Sequence, residues 1–199
     1  MITYLALGDS YTIGEGVPAE GRWPVHLAAS LRNAGAPVAD PVILATTGWT
    51  TDELSAGMDG ADFAPSWGLV SLLIGVNNQY RGRSVEDYRG EFRHLLERAV
   101  ALAAGRGGRV LVLSIPDWGV TPFARESGRD TARIAAELDA YNAVAREETQ
   151  RLGAHWVDIT PISREHRDLL ADDGLHPSAA QYARWAQAAL PAAQAMLQT

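Results

Sequence analysis

A serine, a histidine and an aspartate in this chain have the chemistry of a nucleophilic catalytic site. Ser10 follows a short apolar run, in the segment Gly8-Asp9-Ser10, where a tight turn would present its hydroxyl. A serine hydroxyl becomes a good nucleophile only when a base takes its proton and a third group fixes the tautomer of that base. His176 is the candidate base, and Asp173 lies three residues before it, within reach of the imidazole. These residue types and spacings fit nucleophilic catalysis.

Such a reaction also needs hydrogen-bond donors aimed at the negative charge that develops on the carbonyl oxygen. The backbone N–H groups of Ser10 and Gly48 are candidates, because glycine lets the backbone approach a substrate closely. The side-chain amide of Asn77, which follows a predicted strand, is a third candidate donor.

The pattern of apolar residues predicts the elements that must position these groups. Five short runs dominated by Val, Ile and Leu predict strands buried on both faces, at 2–7, 41–45, 69–74, 110–115 and 155–159. Amphipathic segments between and after them predict helices at 84–104 and at about 24–34, 131–152 and 178–197. We therefore predict an α/β fold, a three-layer α/β/α sandwich with a five-stranded parallel sheet, formed by residues 1–199 as a single domain.

Three residues are expected to mark the ends of these helices. Ser84, with Asp87 three residues on, predicts an N-cap for the helix that follows, and Gly105 predicts its stop. Pro191 is expected to end or bend the last helix, because proline lacks a backbone N–H and clashes with the preceding turn.

The candidate residues all fall where an open parallel sheet forms its sites. Ligands bind such sheets in the loops that follow the carboxyl ends of the strands. Ser10, Gly48 and Asn77 each follow a different predicted strand, whereas Asp173 and His176 precede the last helix. We therefore expect all five residues to meet at one edge of the sheet.

Four blocks of residues, in this order along the chain, resemble the SGNH (GDSL-type) hydrolases. They are Gly8-Asp9-Ser10, Gly48, Gly75-Val76-Asn77 and Asp173-Gly174-Leu175-His176-Pro177. The resemblance spans positions 8 to 177 and implies a flavodoxin-like sandwich that hydrolyses esters through an acyl-enzyme, without a cofactor or metal. It implies Ser10 as the nucleophile and His176 with Asp173 as the rest of the triad. It also implies an oxyanion hole formed by the N–H groups of Ser10 and Gly48 and the side chain of Asn77.

The chain departs from the family pattern at two positions close to these blocks. Asn78 stands where the family commonly has Asp, and Tyr11 stands where its short signature often has Leu. Both are therefore candidates for shaping the substrate pocket. The predicted pocket also includes three aromatic residues that follow strands, Trp49, Tyr80 and Trp118. It further includes Asp9, beside the nucleophile, although Asp9 is expected mainly to orient its turn.

Composition excludes several classes of function. The chain has 199 residues and no cysteine, which excludes a cysteine nucleophile and a thiolate zinc site. A formal charge of -7, with no basic run, argues against nucleic-acid binding. No stretch of about 18 apolar residues and no signal-peptide pattern is present, so we expect a cytoplasmic protein without a membrane span, or a secreted one if a leader has been removed.

Two other functions stay open at this point. A metal-dependent phosphoesterase is weakened because His26, His94, His155 and His166 lack the spacing of a metal site. A non-catalytic, flavodoxin-like binding module is weakened by Glu15, which would repel a phosphate from the glycine-rich segment after Ser10. The expected partner is a small-molecule ester, whether of a lipid, a short acyl group or a sugar. The sequence leaves that choice and the oligomeric state open.

Overall fold

Five parallel strands form the central sheet of the computed structural model, which describes residues 1–64 and 66–198. The strands are β1 Tyr4–Gly8, β2 Val42–Ala45, β3 Leu69–Leu73, β4 Val110–Leu113 and β5 His155–Val157. Their order across the sheet is β2-β1-β3-β4-β5, and every neighbouring pair is parallel. This is the flavodoxin-like order of a doubly wound sheet. The predicted five-stranded parallel sheet is confirmed.

Helices cover both faces of this sheet. The α-helices of the described residues are α1 Ser10–Ile13, α2 Trp23–Asn33, α3 Thr51–Asp59, α4 Val76–Tyr80, α5 Val85–Leu102, α6 Pro122–Glu126, α7 Thr131–Arg151, α8 Thr160–Glu165 and α9 Ala179–Gln198. Helices α2 and α9 pack against each other, and α5 packs against α3 and α7. The predicted three-layer α/β/α sandwich is therefore confirmed.

The register of the sheet places the ends of its first three strands together. Gly8, the last residue of β1, pairs with Ala45 on one side and with Leu73 on the other. All residues of β1, β3 and β4 are buried, as expected for strands covered by helices on both faces. The edge strand β2 is more open, and Val42 is half exposed.

The four predicted long helices are confirmed with boundaries shifted by at most two residues. Ser84 is the N-cap of α5, and its side-chain oxygen accepts a hydrogen bond from the Asp87 N–H. The helix ends at Leu102, and the chain turns away through Gly105, which has a φ of 75° and donates its N–H to the Val100 carbonyl.

The sequence analysis did not predict α3 or the short helices that follow strands. Helix α3 begins with a capping box, in which Thr50 and Glu53 each satisfy the backbone N–H of the other. Its only large buried apolar side chains are Leu54 and Met58, so its apolar stripe is weak. Helices of four to six residues are marginal in isolation, and tertiary packing stabilises them here.

Pro191 does not end the last helix. Helix α9 continues through this residue to Gln198. The turns after the proline bury Ala193 and Met196, and this burial offsets the backbone hydrogen bond that the proline removes. Of the two expected effects of Pro191, to end or to bend the helix, the first is therefore wrong.

Replacing this proline should stabilise the protein. We expect Pro191→Ala to raise the free energy of unfolding by about 1 kcal/mol or more, because it restores a helical N–H at an exposed position of α9. Urea unfolding measures this difference. The exposed substitution Arg184→Ala on the same helix is the control and should change stability by less than about 0.5 kcal/mol. A destabilised Pro191→Ala variant would contradict the prediction.

Candidate active site

One cavity of about 170 Å³ at the carboxyl edge of the sheet collects the predicted catalytic residues. The residues that line it are Ser10, Tyr11, Thr47, Gly48, Val76, Asn77, Tyr80, Trp118, Phe123, Leu175 and His176. The residues predicted to supply the nucleophile, the base and the oxyanion donors therefore face the same space. Asp173 contacts this group through His176.

Ser10 is the first residue of α1 and directly follows the turn at the end of β1. Asp9 caps this helix, and its Oδ1 accepts a hydrogen bond of 3.0 Å from the Tyr11 N–H. The turn packs so tightly that a Cβ atom on Gly8 would lie 2.3 Å from Thr12 Oγ1 and 2.5 Å from the Leu73 carbonyl oxygen. Glycine is therefore required before Asp9 for the chain to turn at this point.

The Asp173 carboxylate orients both the imidazole and the loop that carries it. Asp173 Oδ2 lies 2.6 Å from His176 Nδ1. Asp173 Oδ1 accepts hydrogen bonds of 2.9 Å from the backbone N–H groups of Leu175 and His176. Partial burial raises the pKa of the Asp173 carboxyl, but the bonds from His176 and from the backbone outweigh that effect and hold its pKa below the usual value. Asp173 therefore stays ionised at neutral pH.

The buried ring of Tyr11 packs against the imidazole from another side. The ring centroids of Tyr11 and His176 lie 5.7 Å apart at an interplanar angle of 62°. Tyr11 also packs edge-on against Trp185 of α9, at 5.9 Å. Burial raises the pKa of the Tyr11 hydroxyl well above its usual value, so the ring stays neutral and acts as a rigid support for His176.

The three predicted oxyanion donors follow three adjacent strands: Ser10 begins α1, Gly48 lies in the turn after β2, and Asn77 is in α4. Gly48 has a φ of 89°, and its carbonyl accepts a hydrogen bond of 2.7 Å from Arg81 Nη2. Asn77 Nδ2 donates one N–H to the Trp49 carbonyl at 2.9 Å, which fixes the amide and leaves its second N–H for another acceptor. Among the described residues, neither the Ser10 N–H nor the Gly48 N–H has a hydrogen-bond acceptor. These donors are free to bind a substrate oxygen.

Four of the eleven residues that line the cavity are Tyr, Trp or Phe. The rings of Tyr80 and Trp118 lie 5.4 Å apart, and Phe123 lies 6.1 Å from Trp118. Trp118 Nε1 donates a hydrogen bond of 2.8 Å to Gln79 Oε1, and Gln79 Nε2 donates one of 2.8 Å to Glu137. This chain of bonds holds the Trp118 ring in place against the cavity.

Three of the six residues predicted to line the substrate pocket do not line this cavity. Asn78 is fully buried, and its amide binds the backbone and hydroxyl of Thr51 and the Glu91 carboxylate, so it ties α3 to α5. Trp49 packs against Gly57 of α3, where an added Cβ would lie 2.4 Å from its ring. Asp9 is fully buried beneath the turn. The structure corrects these three placements, whereas Tyr11, Tyr80 and Trp118 do line the cavity.

Four lining residues were not predicted from the sequence: Thr47, Val76, Phe123 and Leu175. Val76 and Leu175 belong to the family blocks, and Thr47 directly precedes Gly48, so the blocks were an available signal for these three. Phe123 lies in α6, which begins with Thr121 as N-cap and Pro122 as first residue. That pair marks a helix start and would have placed Phe123 on an ordered element after β4.

Asp9 is a buried carboxyl group with only part of its hydrogen-bonding capacity used. Its Oδ1 binds the Tyr11 N–H, but its Oδ2 has no partner among the described residues. Burial raises the pKa of Asp9 to about 7, because the ionised form loses its hydration. Between about pH 4 and pH 7, folded Asp9 therefore keeps a proton that the unfolded chain has released.

This difference should make stability depend on pH. In wild type we expect the free energy of unfolding to fall as pH rises from about 4 to 7, by at most about 4 kcal/mol, because folding then requires proton uptake. Asp9→Asn keeps an oxygen acceptor for Tyr11 and does not titrate, so it should remove that decline. Urea unfolding at several pH values tests this, with exposed Asp172→Asn as the control. Parallel stability curves for wild type and Asp9→Asn would contradict it.

Within residues 1–64 and 66–198, no group of three or more His, Asp or Glu side chains is placed to hold a metal ion. In the same ranges, no helix is both long and apolar enough to cross a membrane.

Three solved structures with the same fold are distant in sequence. TesA matches with a TM-score of 0.75 at 20% identity, over 98% of this chain and 99% of that chain. Axe2, an acetylxylan esterase from Geobacillus stearothermophilus, matches with a TM-score of 0.75 at 20% identity, over 96% and 94%. A lipase/acylhydrolase from Enterococcus faecalis matches with a TM-score of 0.73 at 20% identity, over 100% and 97%.

A family profile matches this chain, whereas the comparison with curated sequences finds nothing. Curated protein sequences give no significant match. The profile of the GDSL-like lipase/acylhydrolase family matches residues 6–184, which include the turn at Ser10 and the loop at His176. This fold and family support carboxylic-ester hydrolysis in general terms. The chain belongs to the GDSL-like lipase/acylhydrolase family.

Proposed function

We propose that this chain, as one hydrolase domain, hydrolyses small carboxylic esters through an acyl-enzyme formed on Ser10. The observation that supports this most strongly is the pair of His176 and Asp173. Its members lie 2.6 Å apart, and His176 faces the same cavity as the Ser10 hydroxyl. A nucleophile, a base and a group that orients the base are the components of a serine hydrolase site.

The first half of the reaction forms the acyl-enzyme. With the Nδ1 proton of His176 donated to Asp173, Nε2 is the ring atom that accepts the Ser10 proton. The Ser10 oxygen attacks the ester carbonyl, and Asp173 stabilises the imidazolium that forms. The N–H groups of Ser10, Gly48 and Asn77 bind the oxyanion, and the collapse of this intermediate expels the alcohol with the proton from His176.

The second half of the reaction releases the acid. His176, again neutral, takes a proton from a water molecule as that water attacks the acyl carbonyl. The same three donors stabilise the second oxyanion, and the proton returns to Ser10 as the ester bond to the serine breaks. The net reaction consumes one water and yields one alcohol and one carboxylic acid.

Cavity size and lining restrict the group that binds next to Ser10. A volume of about 170 Å³ is close to that of a cavity that holds one benzene-sized group. Its walls carry Tyr11, Tyr80, Trp118 and Phe123, which favour apolar groups. We therefore propose esters with a short acyl or small ring group as substrates. The acetylxylan esterase with the same fold is named for an ester of such a short acyl group, acetyl.

Active-site labelling tests the proposed nucleophile. We expect a fluorophosphonate to add once to the wild-type chain, with loss of fluoride, and not at all to Ser10→Ala, because the reagent needs an activated serine hydroxyl. Intact-mass measurement reads the result. Ser30→Ala on α2 and urea-unfolded wild type are the controls: the first should label fully and the second should not label. Equal labelling of wild type and Ser10→Ala would contradict the assignment of the nucleophile.

Two adjacent carboxylates offer a matched test of the triad. We expect Asp173→Asn to lower kcat/KM for a short-chain ester by about 10²- to 10⁴-fold, because an amide no longer stabilises the imidazolium. The asparagine oxygen still accepts from the backbone, so the loop should keep its shape. Asp172→Asn, at the neighbouring exposed position, should change kcat/KM by less than about twofold. The prediction fails if both variants lose the same activity.

A further inference from the structure

A second and larger cavity, of about 440 Å³, lies beside the catalytic cavity. Tyr80 lines both cavities, so a substrate in one reaches the other past a single aromatic ring. We call the second cavity the arginine groove, since its lining includes Arg81, Arg129 and Arg133. Two carboxylates also line it, Glu137 and Asp130, and Asp130 Oδ1 accepts hydrogen bonds from the backbone N–H groups at the start of α7. The walls come from the end of α4 with the turn after it, and from the segment 129–137, which leads into α7.

Arg129 is placed at the junction between the two cavities. Its Cζ atom lies 4.0 Å from the centroid of the Tyr80 ring and 5.7 Å from that of Trp118. Its Nη1 donates a hydrogen bond of 3.0 Å to the Tyr80 carbonyl. Contacts with two aromatic faces fix the guanidinium plane, while most of its five N–H donors stay free.

The other two arginines of the groove are already paired with carboxylates. Arg81 Nη1 lies 3.3 Å from Glu53 Oε1, and Arg133 Nε lies 2.7 Å from Glu137 Oε1. Hydrogen bonds from Gln79 and Arg133 hold the pKa of Glu137 below its usual value, so that carboxylate stays ionised. Within the described residues, no carboxylate lies within ion-pair distance of Arg129. Of the three groove arginines, Arg129 is therefore the one without a direct ion pair, and Glu137, whose pKa its charge also lowers, is already bonded to Arg133.

A guanidinium without a direct ion pair in this position has a specific chemical consequence. It presents paired N–H donors in one plane, which match a carboxylate or a phosphate. The sequence contains no lysine, so the presence of arginine rather than lysine at position 129 does not by itself indicate an anion site. The position of Arg129 between the two cavities is the observation that indicates one. The ring of Tyr80 is 40% exposed, so an anion bound to Arg129 need not be fully dehydrated.

We infer that Arg129 and the arginine groove form a subsite for an anionic substituent of the ester, so that the enzyme prefers substrates with a carboxylate or phosphate near the scissile bond. This inference rests on the proposed function and deepens it. The apolar cavity takes the group next to the ester, and the arginine groove takes the charged end beyond Tyr80. Arg129 is a specificity-determining residue in this arrangement, and the reaction itself stays with Ser10 and His176.

Matched ester pairs test the inference at pH 7.5 and low salt. One pair varies the acyl side, 4-nitrophenyl hydrogen adipate against its methyl ester, and the other varies the alcohol side, 3-carboxy-4-nitrophenyl acetate against its methyl ester. For each pair, nitrophenolate release measures the rates. The readout is the ratio of kcat/KM for the anionic ester to kcat/KM for the neutral one. We expect Arg129→Gln to lower this ratio about fivefold in one of the pairs, mainly through KM.

Two further variants separate charge from shape. Arg129→Lys keeps the charge without the planar fork, so its ratio should lie between those of wild type and Arg129→Gln. Arg125→Gln removes an exposed arginine of α6 that lines neither cavity. Its kcat/KM values for the anionic and the neutral ester should equal those of wild type. The wild-type preference should weaken as salt is added, because the anion site is partly exposed.

The outcomes distinguish this inference from the proposed function. If Arg129→Gln lowers the ratio in the acyl pair, the anionic group belongs to the acid part of the substrate. If it lowers the ratio in the alcohol pair, the anionic group belongs to the leaving group. Unchanged ratios in both pairs overturn the inference. If wild type hydrolyses no ester, calorimetry decides: monomethyl succinate should bind Ser10→Ala more tightly than dimethyl succinate does, and adding Arg129→Gln should abolish that difference. Equal binding of the two esters to Ser10→Ala overturns the inference independently of catalysis.

Discussion

Parallel pairing of β1 with both β2 and β3 is the constraint on which the site depends. Gly8 pairs with Ala45 and Leu73, so the loops that follow three strands leave the sheet at one level. The segments after these strands carry Ser10, Gly48 and Asn77, which are far apart in sequence. A shift of register would move one of the three away from the others and break up the proposed oxyanion site.

The remaining proposed catalytic groups are held by a different kind of contact. Asp173 and His176 lie on a loop that is closed by an antiparallel bridge between Leu170 and Pro177 and by a hydrogen bond from the Ala171 N–H to the His176 carbonyl. Within this loop, one oxygen of the Asp173 carboxylate binds two backbone N–H groups and the other binds the imidazole. Tyr11 connects this loop to the Ser10 turn through ring contacts with His176 and Trp185. The imidazole of His176 is therefore positioned by local hydrogen bonds and by core packing together.

Electrostatics differ sharply among the polar groups around the cavity. Asp173 is partly exposed and well bonded, so it stays ionised, whereas Asp9 is fully buried and half bonded, so burial raises its pKa to about 7. Two aspartates close to one site thus have different protonation behaviour because their surroundings differ. Beyond the aromatic wall, Arg129 adds a positive charge that no carboxylate of the described residues pairs with.

The sequence by itself determined the sheet, the four long helices and the blocks that place Ser10, Gly48, Asn77, Asp173 and His176. Those features have strong local signals, since buried parallel strands are apolar runs and long amphipathic helices repeat every 3.6 residues. Only the tertiary structure decided which neighbours of those blocks face the cavity. Asn78 and Trp49 turn to α3, while Thr47 and Phe123 face the substrate side. It also decided that α9 continues through Pro191 and that Arg129 lies over Tyr80. These outcomes depend on packing between segments distant in sequence, and no local pattern encodes such contacts.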